Sequence, residues 1–444
     1  MIPQDFLAAV AQEQRLSFSE QEALFLAMAG KPTAAIASEL GISGDAVRKR
    51  LSEVYQKFQI EGRGPVKLTK LQQQLVARYQ EQLPAEPSIP SLPNPAQSPA
   101  QPQHGSPQHN WGEAPDSAVF YGREAELAQL QRWLVGDRCR LVTIIGMAGI
   151  GKTSLAVRLT RQVQNDVDAV IWLSLRQTPR LCELLSQLFE MLPGGSSYDR
   201  GPQAGSASSG DWPNLESQLT HLMSHLRAQR YLLVLDGAES MLQSGQLTGV
   251  YREGYEDYGE LLRRVGQESH RSALLVTSQE KPAEVSLLEG EASPVRSLTL
   301  TGLDISSAER LLKEKGLTGD VNHWGTLIEG YRGNPFMLQM VATTIRDVFD
   351  GDVTSFLTTT LFTHDISDYI EEVLDRVSAL EATILNQLAA AQQSMTVGEL
   401  GAAMPDSSMQ DLIQALKSLK QRSLLETSEG RFSVPPAVLE VLSA

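Results

Sequence analysis

The sequence predicts an α/β plus α protein: a parallel sheet with helices on both faces, then all-α segments, with a separate all-α domain in front. Three observations predict it. Residues 139–164 read as a buried strand, a glycine-rich loop and a helix, and the loop Gly146-Met147-Ala148-Gly149-Ile150-Gly151-Lys152-Thr153 fits G-x-x-x-x-G-K-[ST]. Apolar, strand-like runs recur after it with helical stretches between them, and they stop near residue 302. A proline-rich stretch, 82–117, isolates residues 1–81.

The N-terminal piece reads as three helices, over 19–29, 33–40 and 43–58. Leu40-Gly41-Ile42-Ser43 marks a turn, with Gly41 suited to a left-handed position and Ser43 to capping the next helix. Val47, Leu51, Val54, Tyr55 and Phe58 share an apolar face, and Arg48, Lys49, Arg50, Ser52 and Lys57 lie largely off it. This is a helix-turn-helix pattern with a basic second helix. Ser43, Arg48, Lys49, Arg50, Ser52 and Lys57 are therefore the candidate DNA contacts, to phosphates or base edges. A solvated face on a protein-interaction module fits the same residues. The first 80 residues hold ten Lys/Arg against eight Asp/Glu, so the local charge of +2 leaves both readings open.

Nine of the 22 prolines fall between Pro84 and Pro115, among Gln, Ser and Ala. Such a segment buries too little apolar surface to fold, so 82–117 is expected to be an extended linker. The Gly/Ser-rich stretch 193–211 reads as a surface-loop insertion.

Residues 118–301 read as the α/β domain, with strands over 141–145, 169–174, 231–236, 273–277 and 297–300. Near-continuous apolar strands joined by helices indicate a parallel sheet covered on both faces. In the loop, Gly146, Gly149 and Gly151 let backbone N–H groups turn inward around a polyphosphate, and the following helix start adds its positive end. Lys152 would reach the β- and γ-phosphates; the Thr153 hydroxyl would hold Mg²⁺. The strand 231–236 ends in Asp236, whose carboxylate would hold a water of that Mg²⁺ shell, so Thr153 and Asp236 are the candidate metal ligands.

Residues 302–365 read as a helical subdomain, with helices over 305–315, 322–330 and 335–349. Residues 366–444 carry three more, over 380–390, 397–404 and 409–422, then two short runs around a Ser-Glu-Gly turn, which together suggest a winged helix.

The net charge of −15 argues against a nonspecific nucleic-acid binder, and the residues after position 80 carry −17 of it. Two cysteines, Cys139 and Cys182, build neither a disulfide framework nor a cysteine-rich zinc site. No apolar run approaches the roughly 18 residues of a membrane span. A cytoplasmic protein is expected. His221 and His225 stand four apart on a helical stretch, but no Glu intervenes as in a metalloprotease, and packing is the expected role. Trp111 and Trp324 are likewise expected to pack.

Over about 119–442 the chain resembles the NB-ARC group of STAND signal-transduction ATPases, nearest to cyanobacterial forms. Val119-Phe120-Tyr121-Gly122-Arg123-Glu124 resembles the family's turn upstream of the phosphate loop, Leu300-Thr301-Gly302-Leu303 its helical-subdomain boundary, and Gly333-Asn334-Pro335 its Gly-x-Pro motif. The resemblance implies ATP/ADP with Mg²⁺. It places Tyr121 and Arg123 on the turn that packs on adenine, Pro335 against the base, and Ser154 with the phosphate loop. Residues 34–43 and 47–58 resemble the LuxR-type DNA-binding domain. Residues 251–259, a Tyr/Glu/Arg mixture, could be a partner surface, a lid or a solvated helix.

The chain departs from the family in three places. Gly237 follows Asp236 where many relatives carry an acid, leaving Glu239 as the next candidate to orient a water, so Asp236 and Glu239 are the candidate catalytic residues. Thr277-Ser278-Gln279 stands where relatives end in Arg, which removes a charge-assisted γ-phosphate contact worth about 1.5–3 kcal/mol. No His matches the family's Met-His-Asp in 433–440. Slow hydrolysis or none is expected. The resemblance implies a switch in which ADP holds the domains closed. Exchange to ATP then permits homo-oligomerisation and brings N-terminal readers together on DNA. Relatives often carry C-terminal sensing repeats, so the signal here is expected from a separate sensor protein or by another route. Two other readings stay open: an ordinary P-loop ATPase whose N-terminal domain recruits a protein, and a scaffold locked by structural ADP.

Overall fold

The computed structural model describes residues 16–28, 44–58, 109–116, 119–192 and 214–443, with positions 10, 36, 40 and 42. The chain divides into two compact units, 1–102 and 103–444.

In the first unit, α1 (Phe18–Met28) and α2 (Gly44–Lys57) pack through Ala23, Val47 and Leu51, with Ile36 in the same cluster. The expected helix over 33–40 lies outside the described residues except at Ile36 and Leu40, and Ser43 lies outside them. Arg48, Lys49, Arg50 and Ser52 stand on α2, with Lys49 and Ser52 exposed. Lys57, the sixth candidate contact, lies near the end of α2. Its ammonium lies 2.6 Å from the carboxylate of Glu20, which is only 4% exposed and needs a counter-charge there.

Residues 109–116 belong to the folded domain, where the linker reading had extended to 117. The Asn110 N–H donates to the Val170 carbonyl, the Trp172 N–H donates back to Asn110, and Trp111 packs on the core. Proline content obscured an indole and an asparagine that complete a sheet edge. The rest of the predicted linker lies outside the described residues, as does the whole Gly/Ser-rich stretch, 193–211.

Chain order then runs α3 (Glu124–Gln131), β1 (Leu141–Ile145), α4 (Lys152–Val163), β2 (Ala169–Ser174), α5 (Leu181–Met191), α6 (Leu215–Ala228), β3 (Tyr231–Asp236), α7 (Asp257–Gln267), β4 (Ala273–Ser278), α8 (Ala283–Leu288) and β5 (Val295–Thr299). The strands form one parallel sheet in the order β2-β3-β4-β1-β5. Strand β5 begins two residues before its expected start at 297, because Val295 pairs with Leu141. All of β1 and β3 is buried, as a sheet covered on both faces requires. Register sets Ile145 opposite Ser278 and Ser174 opposite Asp236, so the carboxyl ends of four strands open onto one crevice.

Helices α9 (Ile305–Glu314), α10 (Val321–Gly330), α11 (Pro335–Val348), α12 (Val353–Thr359) and α13 (His364–Leu374) follow, so α13 crosses the boundary expected at 365. Then come α14 (Ala379–Ala391), β6 (Met395–Thr396), α15 (Val397–Ala403), α16 (Met409–Gln421), β7 (Glu426–Ser428), β8 (Arg431–Ser433) and α17 (Pro436–Ser443). The last three strands form an antiparallel sheet, β6-β8-β7. One apolar cluster runs from Leu303 to Val438, so both helical groups share a core, with Trp324 buried in it. Among the described residues no helix is long and apolar enough to cross a membrane.

Candidate nucleotide-binding site

The glycine-rich loop joins β1 to α4 at the carboxyl edge of the sheet. Gly149 and Gly151 take left-handed backbone angles, φ +69° and +100°. A Cβ at Gly149 would stand 2.6 Å from the Phe336 Cβ and 2.8 Å from the Tyr369 hydroxyl, so that position requires glycine on conformation and on space. A Cβ at Gly146 would stand 2.8 Å from the Leu300 carbonyl. Lys152 is 8% exposed, and its ammonium donates to the carbonyls of Gly146 at 2.9 Å and Met147 at 3.0 Å. Among the described residues it forms no ion pair. Burial pushes its pKa down, Glu239 and Asp236 oppose the fall, and Arg176 adds to it. A buried ammonium whose neighbours are neutral carbonyls suits an incoming polyphosphate.

Thr153 and Asp236 meet directly. The Thr153 hydroxyl donates to Asp236 Oδ1 at 2.7 Å, and the Thr277 hydroxyl donates to the same oxygen at 2.7 Å. Thr277 also accepts from the Gly237 N–H, which fixes the strand end. A hydroxyl and a carboxylate are the hard oxygen donors Mg²⁺ prefers, so the residues present fit Mg²⁺ with a nucleotide. The ion would be held by Thr153 and Asp236, and would supply charge neutralisation on the phosphates.

Glu239 sits near but is engaged elsewhere. Its two carboxylate oxygens accept from the backbone and the side-chain amide of Gln279, each at 3.1 Å. Gln279 is therefore turned to Glu239. Arg176, which the sequence did not single out, lies 3.6 Å from Asp236 Oδ2.

Gly149, Lys152, Thr153, Arg176, Glu239 and Gln279 line a cleft of about 970 Å³ that also reaches Tyr121, Arg123, Ser154 and Pro335. The Tyr121 hydroxyl donates to Glu314 at 2.8 Å, and burial together with that bond pushes its pKa up to about 12. Arg123 is 6% exposed and spends its guanidinium on protein: the Thr301 carbonyl at 2.6 Å, the Gly302 carbonyl at 3.2 Å and Glu126 at 2.9 Å. It braces the 121–123 turn against the segment that follows β5. Pro335 opens α11, and the preceding Asn334 caps that helix while its amide donates to the Ala148 carbonyl at 3.0 Å. The start of α11 thus closes directly on the glycine-rich loop.

A second junction was not visible in the sequence. Glu280, just beyond β4 and 1% exposed, accepts from Arg422 at 2.8 Å and from Arg376 at 2.7 Å. Burial pushes its pKa up, against the pull of both arginines. Arg422 also donates to the Gln246 carbonyl at 2.6 Å, and the Thr248 N–H donates to the Ser418 hydroxyl at 2.9 Å. The loop after β3 and the end of β4 are thereby tied to α13 and α16.

Other candidates resolve as structure. Residues 251–259 are no solvated helix: Tyr255 and Tyr258 are buried, and their hydroxyls donate to the Thr178 and Pro179 carbonyls at 2.7 and 2.9 Å. His221 and His225 bring their Nε2 atoms to 3.1 Å beside Phe189, and burial pushes both pKa values down. Among the described residues no group of three or more His, Cys, Asp and Glu could hold a metal.

Residues 123–243 match the NB-ARC domain. The chain is 39% identical, over 351 residues and 76% of its length, to an uncharacterized WD repeat-containing protein of Nostoc sp., and covers 27% of that protein. It is 28% identical over 124 residues to disease resistance protein RGA5 of Oryza sativa subsp. japonica, covering 10% of it. The chain thus spans about a quarter and a tenth of the lengths of these relatives. A Walker-type ATPase of Pyrococcus abyssi superposes on 73% of this chain and 96% of its own, at 17% identity and a TM-score of 0.49. The parallel sheet, the glycine loop with Lys152 and Thr153, and the match over 123–243 together support an NB-ARC domain with a P-loop NTPase sheet in this part of the chain.

Proposed function

We propose that this chain is a nucleotide-dependent switch that binds ADP or ATP with Mg²⁺ and hydrolyses ATP slowly or not at all. One observation carries the reading: the loop that would hold the phosphates is closed by the Asn334–Ala148 hydrogen bond and the Phe336 side chain, both from the helical region. A nucleotide whose phosphates press on that loop differently would bias the arrangement of those helices, which is the differential affinity a switch requires. Slow turnover is supported by the engagement of Glu239, the candidate base beyond Asp236, with Gln279.

The C-terminal part is read as a winged helix, on the strength of α14, α15 and α16 followed by the antiparallel β6-β8-β7 sheet. The N-terminal unit is read as a helix-turn-helix that binds DNA once self-association brings two copies side by side, supported by the exposed Lys49 and Ser52 on α2. Free cysteines Cys139 and Cys182 support a reducing, cytoplasmic setting.

The test is nucleotide content and solution size. Purified protein should carry adenine nucleotide, and its size-exclusion profile should differ between ADP and a non-hydrolysable ATP analogue, with Lys152→Ala abolishing both. Steady turnover as a monomer would favour an ordinary ATPase, and ADP retained without any change of size would favour a scaffold. Arg48→Glu with Arg50→Glu should remove duplex binding while leaving the fold intact.

A further inference from the structure

We propose that Arg176 supplies the cation for the terminal phosphate of ATP, taking the place left by neutral Gln279. The inference rests on the nucleotide-switch reading above. Arg176 follows β2, the strand beside β3, so it rises from the same carboxyl edge of the sheet as Asp236. One guanidinium nitrogen lies 3.6 Å from Asp236 Oδ2. Its stem passes over Gly237, where a Cβ would stand 3.4 Å from the Arg176 Cγ. The glycine in place of the family's usual acid therefore removes a carboxylate from beside the arginine, whose stem lies at contact distance over it.

The cleft leaves few other cations for this task. It is lined by Arg123, Lys152, Arg176 and Lys315. Arg123 is committed to the Thr301 and Gly302 carbonyls and to Glu126. Lys152 is the loop's own ammonium. Lys315 adjoins Glu314, which binds Tyr121 at the other end of the cleft. Gln279 turns its amide to Glu239. Arg176 is the guanidinium next to the Thr153–Asp236 pair, the pair that marks where the β- and γ-phosphate oxygens share Mg²⁺ in P-loop sites.

The arginine is also free to move. Its side chain is 68% exposed while Asp236 is 4% exposed, and an ion pair so open to water holds it weakly. A terminal phosphate offers a bidentate partner of higher charge, so the guanidinium would turn from Asp236 to the phosphate when ATP binds. ADP lacks that group. Arg176 is therefore a specificity residue that discriminates the triphosphate from the diphosphate.

The experiment compares affinities of wild type, Arg176→Ala and Arg176→Lys for ADP and for a non-hydrolysable ATP analogue, both with Mg²⁺, by calorimetry. Arg176→Ala should weaken the analogue by about tenfold or more, the scale of one lost charge-assisted contact, and ADP by less than about threefold. Arg176→Lys should restore part of the difference. Circular dichroism checks the fold, which an exposed side chain should not disturb. Equal losses for both nucleotides, or none, overturn the role of Arg176 while leaving nucleotide binding standing. If wild type binds neither nucleotide and Lys152→Ala matches it, the switch reading fails and this inference fails with it.

Discussion

Glu280 and Arg422 lie 142 positions apart and meet at 2.8 Å, with side chains 1% and 4% exposed. Charges so far from water are held by each other, and Arg376 and Glu381 extend the group. The Arg422 Nε lies 3.4 Å from Glu381 Oε1, within ion-pair range but outside hydrogen-bond geometry, so the bonds to Glu280 and the Gln246 carbonyl carry the junction. Removing Arg422 takes from buried Glu280 one of its two guanidinium partners and from buried Glu381 its nearest cation, a cost of up to about 3–5 kcal/mol. Arg422→Ala should therefore lower the unfolding midpoint sharply. Arg422→Met combined with Glu280→Met should recover part of the loss, since packing replaces paired charge. If Arg422→Ala unfolds like wild type in a thermal scan, the junction is not a structural tie.

Gly149 tests how tightly the helical region closes on the phosphate loop. Alanine there meets a left-handed backbone angle and two near atoms, at 2.6 and 2.8 Å. The Tyr369 hydroxyl is one of them, and it has no hydrogen-bond partner among the described residues. Overpacking of this kind costs about 1–3 kcal/mol. Gly149→Ala should lower both stability and nucleotide retention. Adding Phe336→Ala should return part of the stability by opening space, but not the share owed to backbone strain. Full recovery in the double variant would show that the backbone angle costs nothing.

Asp236 predicts a metal dependence. Its carboxylate faces the Thr153 hydroxyl at 2.7 Å, and Mg²⁺ would sit with both. In wild type, Mg²⁺ should tighten nucleotide binding. In Asp236→Asn that gain should shrink by about tenfold or more, while affinity measured in EDTA should hold or rise, because Lys152 and Arg176 lose a competing anion. Asn keeps an oxygen for Thr153 and Thr277, so the fold should persist. Titrations with and without Mg²⁺ that move in parallel for both proteins would remove Asp236 from the metal site.

What could be read from sequence follows the range of the interaction. Lys152 and Thr153 lie in one short loop whose glycines are fixed in spacing, and Asp236 ends an apolar strand, so local pattern suffices to bring them to one crevice. The sheet follows from its buried, β-branched strands. Glu280 beside Arg422 leaves no such trace, since nothing in either neighbourhood names the other. Tyr255 and Tyr258 look like surface residues among glutamates, yet carbonyls at Thr178 and Pro179 satisfy their hydroxyls and let the rings go inside. The folded start at 109–116 hid under proline content, although Trp111 marked it. The Lys57–Glu20 ion pair likewise leaves no local trace, because its two partners lie on different helices.

Asp304 gives a pH dependence whose sign can be worked out. It caps α9: Oδ1 accepts from the Ser307 N–H at 3.0 Å and the Ser306 hydroxyl at 2.6 Å, and Oδ2 from the Ser307 hydroxyl at 2.7 Å. Those bonds, Ser306 first, favour the carboxylate and push its pKa down from 3.8 to about 2. A depressed folded pKa means that the unfolded chain takes up its proton first as pH falls. The stabilisation is therefore complete above about pH 4 and is lost as pH falls toward about 2. Asp304→Asn still caps the helix but carries no charge to lose. Urea unfolding of both proteins from pH 5 to pH 2.5 should show wild type ahead at the upper end and the gap closing below pH 4. Every other carboxylate titrates in both proteins, so the difference isolates this one. A gap that stays constant across the range would mean that the Asp304 charge contributes nothing to the cap.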